Sequence, residues 1–182
     1  MQIVMIGPPG AGKGTQAKML ATRIVVPHIS TGDMLRDQVE RKTPIGLVVK
    51  AAVEKGELVQ DNILLDMVRM KIACAECLSG YVFDGFPRTL FQARWLDSQS
   101  GQHPVAILLE LENDAVVKRC IGRNEGRSDD ADVAIVENRL KEYAAWSVPV
   151  IDHYADANRL HRIDGSKSIE EVFDAIMGTL SA

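Results

Sequence analysis

The sequence is poor in cysteine, in aromatic residues and in long apolar runs. Its 182 residues include three cysteines, and aromatic residues make up 5%. So few cysteines, in an odd number, exclude a disulfide framework and indicate a reduced, cytoplasmic protein. No apolar run approaches the ~20 residues of a membrane span, and the first residues lack the basic segment and cleavage site of a signal peptide. We therefore expect a cytoplasmic protein with no membrane partner.

The charge balance is mildly acidic, with 21 Lys and Arg residues against 25 Asp and Glu residues and a formal net charge of −4. Without a basic tail the chain is a poor candidate for general nucleic-acid binding. Hydrophobic residues make up 46% and charged residues 25%, the ordinary globular proportions. The length predicts a single domain, and nothing in the sequence requires more than a monomer.

Two of the cysteines, Cys74 and Cys77, stand three residues apart. A structural zinc site takes four ligands, whereas the chain offers only Cys120 in addition and no histidine at zinc-finger spacing. We therefore expect both to be small core residues on one helical face, and not a metal or redox site.

Short apolar runs alternate with helical patterns along the chain. The runs at residues 3–6, 81–83, 105–109 and 160–163 are continuous, as in strands covered on both faces of a parallel sheet. Ser168 and Glu171 form a capping box, which predicts a helix whose apolar stripe is Ile169, Val172, Phe173, Ile176 and Leu180. This alternation predicts an α/β fold with a parallel sheet.

Two segments depart from the strand–helix alternation. Residues 30–59 carry two helical patterns with no strand between them, one over 31–41 and one from Thr43 and Pro44 to Lys55, with Gly56 as its end. Residues 122–131 are polar and turn-forming, which predicts a surface loop. Both segments are candidate lids.

A phosphate-binding loop follows directly on the first apolar run and precedes a helical pattern. Glycines let backbone N–H groups turn inward around phosphate oxygens, and a lysine at the end of the loop reaches the β- and γ-phosphates. The strict pattern is broken, because Gly14 stands where a hydroxyl is usual and Thr15 follows one residue later. The segment predicts nucleotide phosphate binding by Gly7-Pro8-Pro9-Gly10-Ala11-Gly12-Lys13-Gly14-Thr15.

Charged side chains recur at predicted element ends. Asp84 closes the apolar run at 81–83, where a carboxylate either holds Mg²⁺ through water or caps a turn. Arginine binds phosphate in a bidentate fork and stays charged, as phosphoryl transfer requires. Each arginine alone is most simply a surface residue, but together six of them predict a phosphate-binding cleft: Arg36, Arg88, Arg119, Arg123, Arg127 and Arg139.

These motifs together closely resemble the adenylate kinases, over the whole chain and in order. Besides the phosphate loop, the resemblance is carried by three segments: Ser30-Thr31-Gly32-Asp33-Met34-Leu35-Arg36, Asp84-Gly85-Phe86-Pro87-Arg88 with Gln92, and Gly126-Arg127-Ser128-Asp129-Asp130 with Arg139-Leu140. The family catalyses MgATP + AMP ⇌ 2 ADP. The resemblance implies a three-layer P-loop NTPase fold with a five-stranded parallel sheet. It also implies a core at 1–29, 60–121 and 132–182, an AMP-binding helical domain at 30–59 and a short lid at 122–131.

The resemblance also assigns roles residue by residue. The ATP-binding set is Gly10, Ala11, Gly12, Lys13, Gly14, Thr15, Arg119, Arg123 and Lys167, the last near the base. The AMP-binding set is Thr31, Arg36, Glu57, Leu58, Val59, Gly85, Phe86, Pro87, Arg88, Gln92, Arg127 and Arg139, with Asp84 on Mg²⁺. The catalytic set is Lys13, Arg88, Arg123, Arg127 and Arg139. A carboxamide such as Gln92 can present a donor and an acceptor to the adenine edge.

Three features depart from the family pattern. The lid is short and has no zinc cysteines, and twelve residues separate Arg127 from Arg139, one more than we expect. An extra residue inside the helix would rotate Arg139 by ~100°, whereas one before the helix would change little. Residues 23–27 lack the glycine usual at the end of the first helix, so a non-glycine residue must make that turn at a modest cost in stability.

Three alternatives share part of the pattern. A UMP/CMP kinase has the same fold, but Thr31 and Gln92 favour adenine, since the pyrimidine enzymes usually have Ala and Asn there. A small kinase acting on shikimate or gluconate does not account for the segment at 84–88. A nucleotide-binding switch without chemistry is disfavoured by the presence of Lys13, Arg88, Arg123 and Arg127.

Overall fold

A computed structural model describes residues 1–99, 103–121 and 133–180 of the chain. A five-stranded sheet in the order β2-β3-β1-β4-β5 forms the centre, and every neighbouring pair is parallel. The strands are β1 (Gln2–Ile6), β2 (His28–Ser30), β3 (Tyr81–Asp84), β4 (Val105–Glu110) and β5 (Leu160–Asp164). The predicted fold class is therefore confirmed. The strand missed from sequence, β2, has only three residues and gives no periodic signal.

Helices lie between the strands and on both faces of the sheet. They are α1 (Lys13–Ile24), α2 (Thr31–Glu40), α3 (Pro44–Lys55), α4 (Asp61–Ile72), α5 (Leu90–Gln99), α6 (Asn113–Ile121), α7 (Val133–Asp156) and α8 (Ile169–Leu180). A 3₁₀ turn at Ala75–Cys77 precedes β3. Within the described ranges, none of these helices combines the length and the apolar character that crossing a membrane requires.

Alternate residues of β1 belong to two separate hydrophobic clusters. Ile3 and Met5 pack with residues of α1 and α8, whereas Val4 and Ile6 pack with residues of α4, α5 and α7. This alternation follows from the two-residue period of a strand. Because both faces of the sheet are covered, the strand sequences are continuous apolar runs. The core thus fixes the carboxyl ends of β1 and β3; the phosphate loop follows β1, and Asp84 is the last residue of β3.

The predicted helix ends are largely confirmed. The Thr43 hydroxyl accepts the Gly46 N–H at 3.0 Å at the start of α3, and Gly56, with φ 71°, ends that helix. The Ser168 N–H donates to Glu171 Oε2 at 3.0 Å, and the Glu171 N–H donates to Ser168 Oγ at 3.2 Å. These contacts form the predicted capping box and fix the start of α8.

Two side-chain predictions need correction. Ile169 is 51% exposed and so lies outside the buried stripe of α8, because its place in the first turn leaves it beyond the sheet. Cys77 is buried as expected, but Cys74 is exposed because the segment forms a 3₁₀ turn that directs the two side chains differently. Among the described residues no group of three or more histidine, cysteine, aspartate or glutamate side chains is placed to hold a metal.

The turn without a glycine lies at Val25. This residue ends α1 with φ 56° and ψ 53°, and its side chain is 84% exposed. A β-branched residue in the left-handed region is strained, because its Cβ crowds the neighbouring carbonyl. The turn predicted without a glycine is therefore made by Val25 in the left-handed conformation, and its cost in stability stays a prediction.

The C-terminal half of α7 is anchored by the half-buried carboxylate of Asp97 on α5. It accepts hydrogen bonds from Arg159 Nη2 at 2.7 Å and Nη1 at 2.9 Å, and it lies 2.8 Å from His153 Nε2. Burial raises the pKa of Asp97, but the hydrogen bonds from Arg159 and His153 outweigh it and leave that pKa below its ordinary value. This cluster fixes the end of α7, and the middle of the same helix, from Arg139 to Val150, lines the main cleft.

Candidate active site

The phosphate loop connects β1 to α1 through glycines in the left-handed region. Gly10 has φ 74° and Gly12 has φ 88°, a backbone that other residues rarely adopt. Gly12 is the N-cap of α1 and has no side chain that could cap the first-turn amides. Those amides have no intrahelical acceptor, and they meet the positive end of the helix dipole. The loop is therefore built to receive an anion.

Lys13 and Asp84 both line the cleft beside the phosphate loop. Lys13 Nζ donates to the Pro8 carbonyl at 2.8 Å, which holds the ammonium against the loop. Asp84 Oδ2 lies 3.0 Å from the position that a Cβ on Gly14 would occupy. A side chain at position 14 would therefore crowd this carboxylate. That contact gives a physical reason for the glycine where the strict motif has a hydroxyl residue.

Arg119 and Lys167 flank the phosphate loop outside the cleft. Arg119 donates to the carbonyl of Gly165 at 2.7 Å and to that of Ser166 at 3.1 Å. Its Cβ lies 3.5 Å from the position a Cβ on Gly10 would take, so the side chain lies beside the loop. Lys167 Nζ is 3.9 Å from Asp164 Oδ2. Arg119 thus lies between the phosphate loop and the turn after β5 that carries Lys167.

On the opposite side of the cleft, Gly85 brings Thr31 and Arg88 together. Thr31 Oγ1 donates to the Gly85 carbonyl at 3.0 Å, and Arg88 Nε donates to the same oxygen at 2.9 Å. Gly85 has φ 80°, and a Cβ there would lie 3.1 Å from Thr31 Oγ1. The glycine thus allows a hydroxyl and a guanidinium to converge on one point at the end of β3.

Gln92 lies in the first turn of α5, next to Arg88, and its side chain is buried, with the residue 1% exposed. Its Oε1 accepts the Arg88 N–H at 2.7 Å, and its Nε2 donates to Asp61 Oδ1 at 2.6 Å. Sequence reasoning missed Asp61, because it stands 31 residues from Gln92 and belongs to no motif. Only the packing of the α4 start against the α5 start reveals the pair.

The α2–α3 pair forms the outer wall of the cleft. Arg36 is paired with Asp33 at 2.5 Å and lies against Gly32. Residues 57–59, which the resemblance assigns to AMP, follow α3 and line the cleft. Asn138 Nδ2 donates to the Lys55 carbonyl at 3.1 Å, which joins the end of α3 to α7.

Arg139 on α7 lies against this same corner. Its Cγ is 2.9 Å and its Nε 3.0 Å from the position that a Cβ on Gly56 would occupy. The side chain also lines the cleft, so α7 presents Arg139 toward the phosphate loop and α2–α3. Arg139, the residue whose orientation the spacing from Arg127 left open, thus lies on the wall of the cleft.

A stripe of α7 residues that sequence reasoning missed completes the wall. It consists of Glu142, Tyr143, Trp146, Ser147 and Val150. Their spacing of three and four from Arg139 is a helical period, and it is the signal that could have found them. Burial raises the pKa of Tyr143, so its phenol is neutral near neutral pH. Trp146 is 49% exposed, with Nε1 3.1 Å from Glu142 Oε2.

One cleft contains most of the predicted residues. Its walls include Gly10, Gly12, Lys13, Gly14, Thr31, Arg36, Glu57, Leu58, Val59, Asp84, Gly85, Pro87, Arg88, Gln92 and Arg139. Ala11 and Phe86 are buried in the core instead, and Thr15 lies in α1 behind the loop. Arg123, Arg127 and the predicted lid at 122–131 lie outside the described residues. The charged residues that line the cleft are four cations, Lys13, Arg36, Arg88 and Arg139, and three carboxylates, Glu57, Asp84 and Glu142. The four cations are of the kind that bind phosphate groups.

A family model and three relatives that match this chain all carry the name adenylate kinase. A family model described as adenylate kinase matches residues 5–159. Adenylate kinase 1 of Nostoc sp. (strain PCC 7120) is 40% identical over 185 residues, covering 100% of this chain and 99% of the relative. The adenylate kinase of Carboxydothermus hydrogenoformans is 38% identical over 213 residues, covering 99% of both chains. That of Clostridium tetani is 34% identical over 215 residues, covering 100% of this chain and 99% of the relative.

Proposed function

Because the chain belongs to the adenylate kinase family, and is thus a nucleoside monophosphate kinase, we propose that it transfers the γ-phosphoryl group of MgATP directly to AMP. Two ADP molecules result, with no covalent enzyme intermediate. The observation that carries this proposal is that one cleft is lined both by the phosphate loop and by Thr31, Arg88 and Gln92. In-line transfer requires donor and acceptor phosphates to lie end to end, and one cleft between two anion sites permits that.

The donor phosphates would be held by the loop from Gly10 to Thr15. Backbone amides and the α1 dipole stabilise negative charge without reorganisation, and Lys13 adds a full positive charge at the transferring group. Arg119 and Lys167, on the flank of the loop, would contact ATP, with Lys167 near its base. Little covalent chemistry is needed from the protein, since charge stabilisation dominates phosphoryl transfer.

Asp84 would hold Mg²⁺ through water. Mg²⁺ prefers hard oxygen ligands, keeps several waters and takes one or two carboxylates together with substrate phosphates. A single carboxylate placed against the first turn of α1 fits that coordination. When bound together with ATP at Asp84, the ion would supply neutralisation of the phosphate charge.

The acceptor AMP would lie against α2–α3. Arg36 and Arg88 would bind its α-phosphate, because both cations line the cleft. Thr31, Gln92 and residues 57–59 would contact the adenosine, while Phe86 supports the turn at Gly85 and Pro87 from the core. Arg88 already donates Nε to Gly85, which orients the rest of its guanidinium toward the cleft.

Closure would bring Arg123, Arg127 and Arg139 onto the reacting phosphates and exclude water that would otherwise accept the phosphoryl group. We propose that residues 122–131 form the short lid that closes in this way. We further propose that the protein acts as a monomer, and the low cysteine content supports the cytoplasm as its compartment.

The test is to incubate the pure protein with MgATP and each nucleoside monophosphate separately and to measure the diphosphates formed. Fast ADP formation with AMP, and little product with CMP or UMP, is the expected result. A preference for a pyrimidine would overturn the assignment of Thr31 and Gln92 to the base. Binding of ATP and AMP without any ADP would replace the kinase by a nucleotide-binding switch.

A further inference from the structure

The carboxamide of Gln92 is held at both ends by groups that each permit one orientation. Its Nε2 donates to Asp61 Oδ1 at 2.6 Å, and its Oε1 accepts the Arg88 N–H at 2.7 Å. An ionised carboxylate only accepts hydrogen bonds, and a backbone N–H only donates. A carboxamide turned by 180° would set oxygen against oxygen and N–H against N–H. The chemistry of the two neighbours therefore fixes which way Gln92 points.

Asp61 is itself fixed by the element that carries Gln92. Thr89 Oγ1 donates to Asp61 Oδ2 at 3.4 Å and accepts the Gln92 N–H at 3.2 Å. The hydroxyl has one proton, and its bond to the carboxylate leaves its lone pairs for the amide. Asp61 also stands in the first turn of α4, where the helix dipole favours a negative charge. The start of α4 and the start of α5 thus form one network.

These contacts leave one N–H and one oxygen lone pair of the Gln92 carboxamide. Adenine has an amino donor at C6 beside a ring-nitrogen acceptor, so it matches a fixed oxygen and a fixed N–H. A 6-oxopurine has an acceptor at C6 and would face the Gln92 oxygen. It would be accepted only if the carboxamide turned over, which Asp61 and the Arg88 N–H oppose.

We propose that Asp61 is a specificity-determining residue that selects 6-aminopurine over 6-oxopurine monophosphates by fixing the orientation of Gln92. Asp61 acts through Gln92 and does not touch the nucleotide. The inference rests on the proposed function, in which Gln92 faces the base of the acceptor. It predicts that loss of Asp61 lowers the ratio of kcat/KM for AMP to kcat/KM for a 6-oxopurine monophosphate, and does not lower both values equally.

The experiment compares Asp61→Ala, which removes the accepting oxygen, with Asp61→Asn, which keeps one and is isosteric. Asp66→Asn is the matched control, since Asp66 lies on the same helix with a side chain 72% exposed. With MgATP as donor, kcat/KM is measured for AMP and for inosine monophosphate, together with the KM for ATP. A good bidentate base contact discriminates by about 5- to 150-fold. We expect Asp61→Ala to lower the AMP-to-inosine-monophosphate ratio by about tenfold.

Asp61→Asn should lower that ratio about threefold, Asp66→Asn should leave it within twofold, and the KM for ATP should stay within twofold in every variant. Equal losses with both acceptors would overturn the inference, because a merely structural residue lowers both together. If circular dichroism shows that Asp61→Ala does not fold, Asp61→Asn decides, and an unchanged ratio there overturns the inference. A wild-type protein that forms no ADP from AMP refutes the proposed function instead, before any variant is made.

Discussion

The two sides of the cleft are built in different ways. The phosphate loop is one continuous segment between β1 and α1. Its shape is set by backbone conformation, because two of its glycines, Gly10 and Gly12, are left-handed. The other side, which we propose binds the acceptor, is assembled from the α2 start, the end of β3 and the starts of α4 and α5, and side chains make its contacts. Backbone amides recognise charge, which all nucleotides share. Side chains recognise identity, so specificity should reside on the acceptor side.

The largest expected effect comes from Lys13 on the donor side. Lys13→Ala removes a preorganised positive charge at the transferring phosphoryl group, so kcat should fall roughly 10³-fold. The loss should be the same for AMP and for any slower acceptor. Steady-state assays check this, with Arg23→Ala on the exposed side of α1 as the control, expected within twofold of wild type. Comparable losses in both variants would contradict the placement of the site.

Arg88 tests the acceptor side. Arg88→Lys keeps the charge but cannot hold the Gly85 carbonyl with Nε and a phosphate with the rest of a planar fork. We expect kcat/KM for AMP to fall roughly 10²-fold, since charge-assisted bidentate contacts are lost, while the KM for ATP changes little. Titration of each substrate at saturating levels of the other measures this split. A matching rise in the KM for ATP would mean that the two sides are not separate.

A smaller effect is expected at the junction of the two sides. Gly14→Ala places a Cβ 3.0 Å from Asp84 Oδ2 and should displace the carboxylate, lowering kcat up to about tenfold. Gly178→Ala in α8 is the control, because a Cβ there meets nothing within 4 Å. It should raise the free energy of unfolding by about 0.5–1 kcal/mol without changing kcat. Full activity of Gly14→Ala would show that Asp84 has room to move.

The smallest effect lies outside the cleft, at Val25. Val25→Gly relieves a left-handed β-branched residue and should raise the free energy of unfolding by about 1 kcal/mol and Tm by about 2–4 °C. Activity should be unchanged, since neither side of the cleft is touched. Val48→Gly, at an exposed position within α3, should instead lower stability by roughly 0.5 kcal/mol. Thermal melts of both variants and of wild type check the opposite signs.

The difference between local segments and assembled surfaces also explains which parts of the fold and of the site can be predicted from the sequence. Features that depend on neighbouring residues can be predicted from sequence. They include the phosphate loop, the α2–α3 pair with its ends at Thr43 and Gly56, and the turn at Val25. Strand β2 is too short to show a period. Asp61 contacts Gln92 across 31 residues, so only tertiary packing reveals it. The α7 stripe around Trp146 faces the cleft because of how the whole helix packs, which no single motif encodes.

The central claim is that the donor side recognises charge and the acceptor side recognises the base. The most direct measurement determines kcat/KM for ATP, GTP and CTP as donors to AMP, and for AMP, CMP, UMP and inosine monophosphate as acceptors from ATP. We predict donors within about one order of magnitude of each other, and AMP preferred over every other acceptor by about two orders of magnitude or more. A strict donor range with a permissive acceptor range would contradict the account.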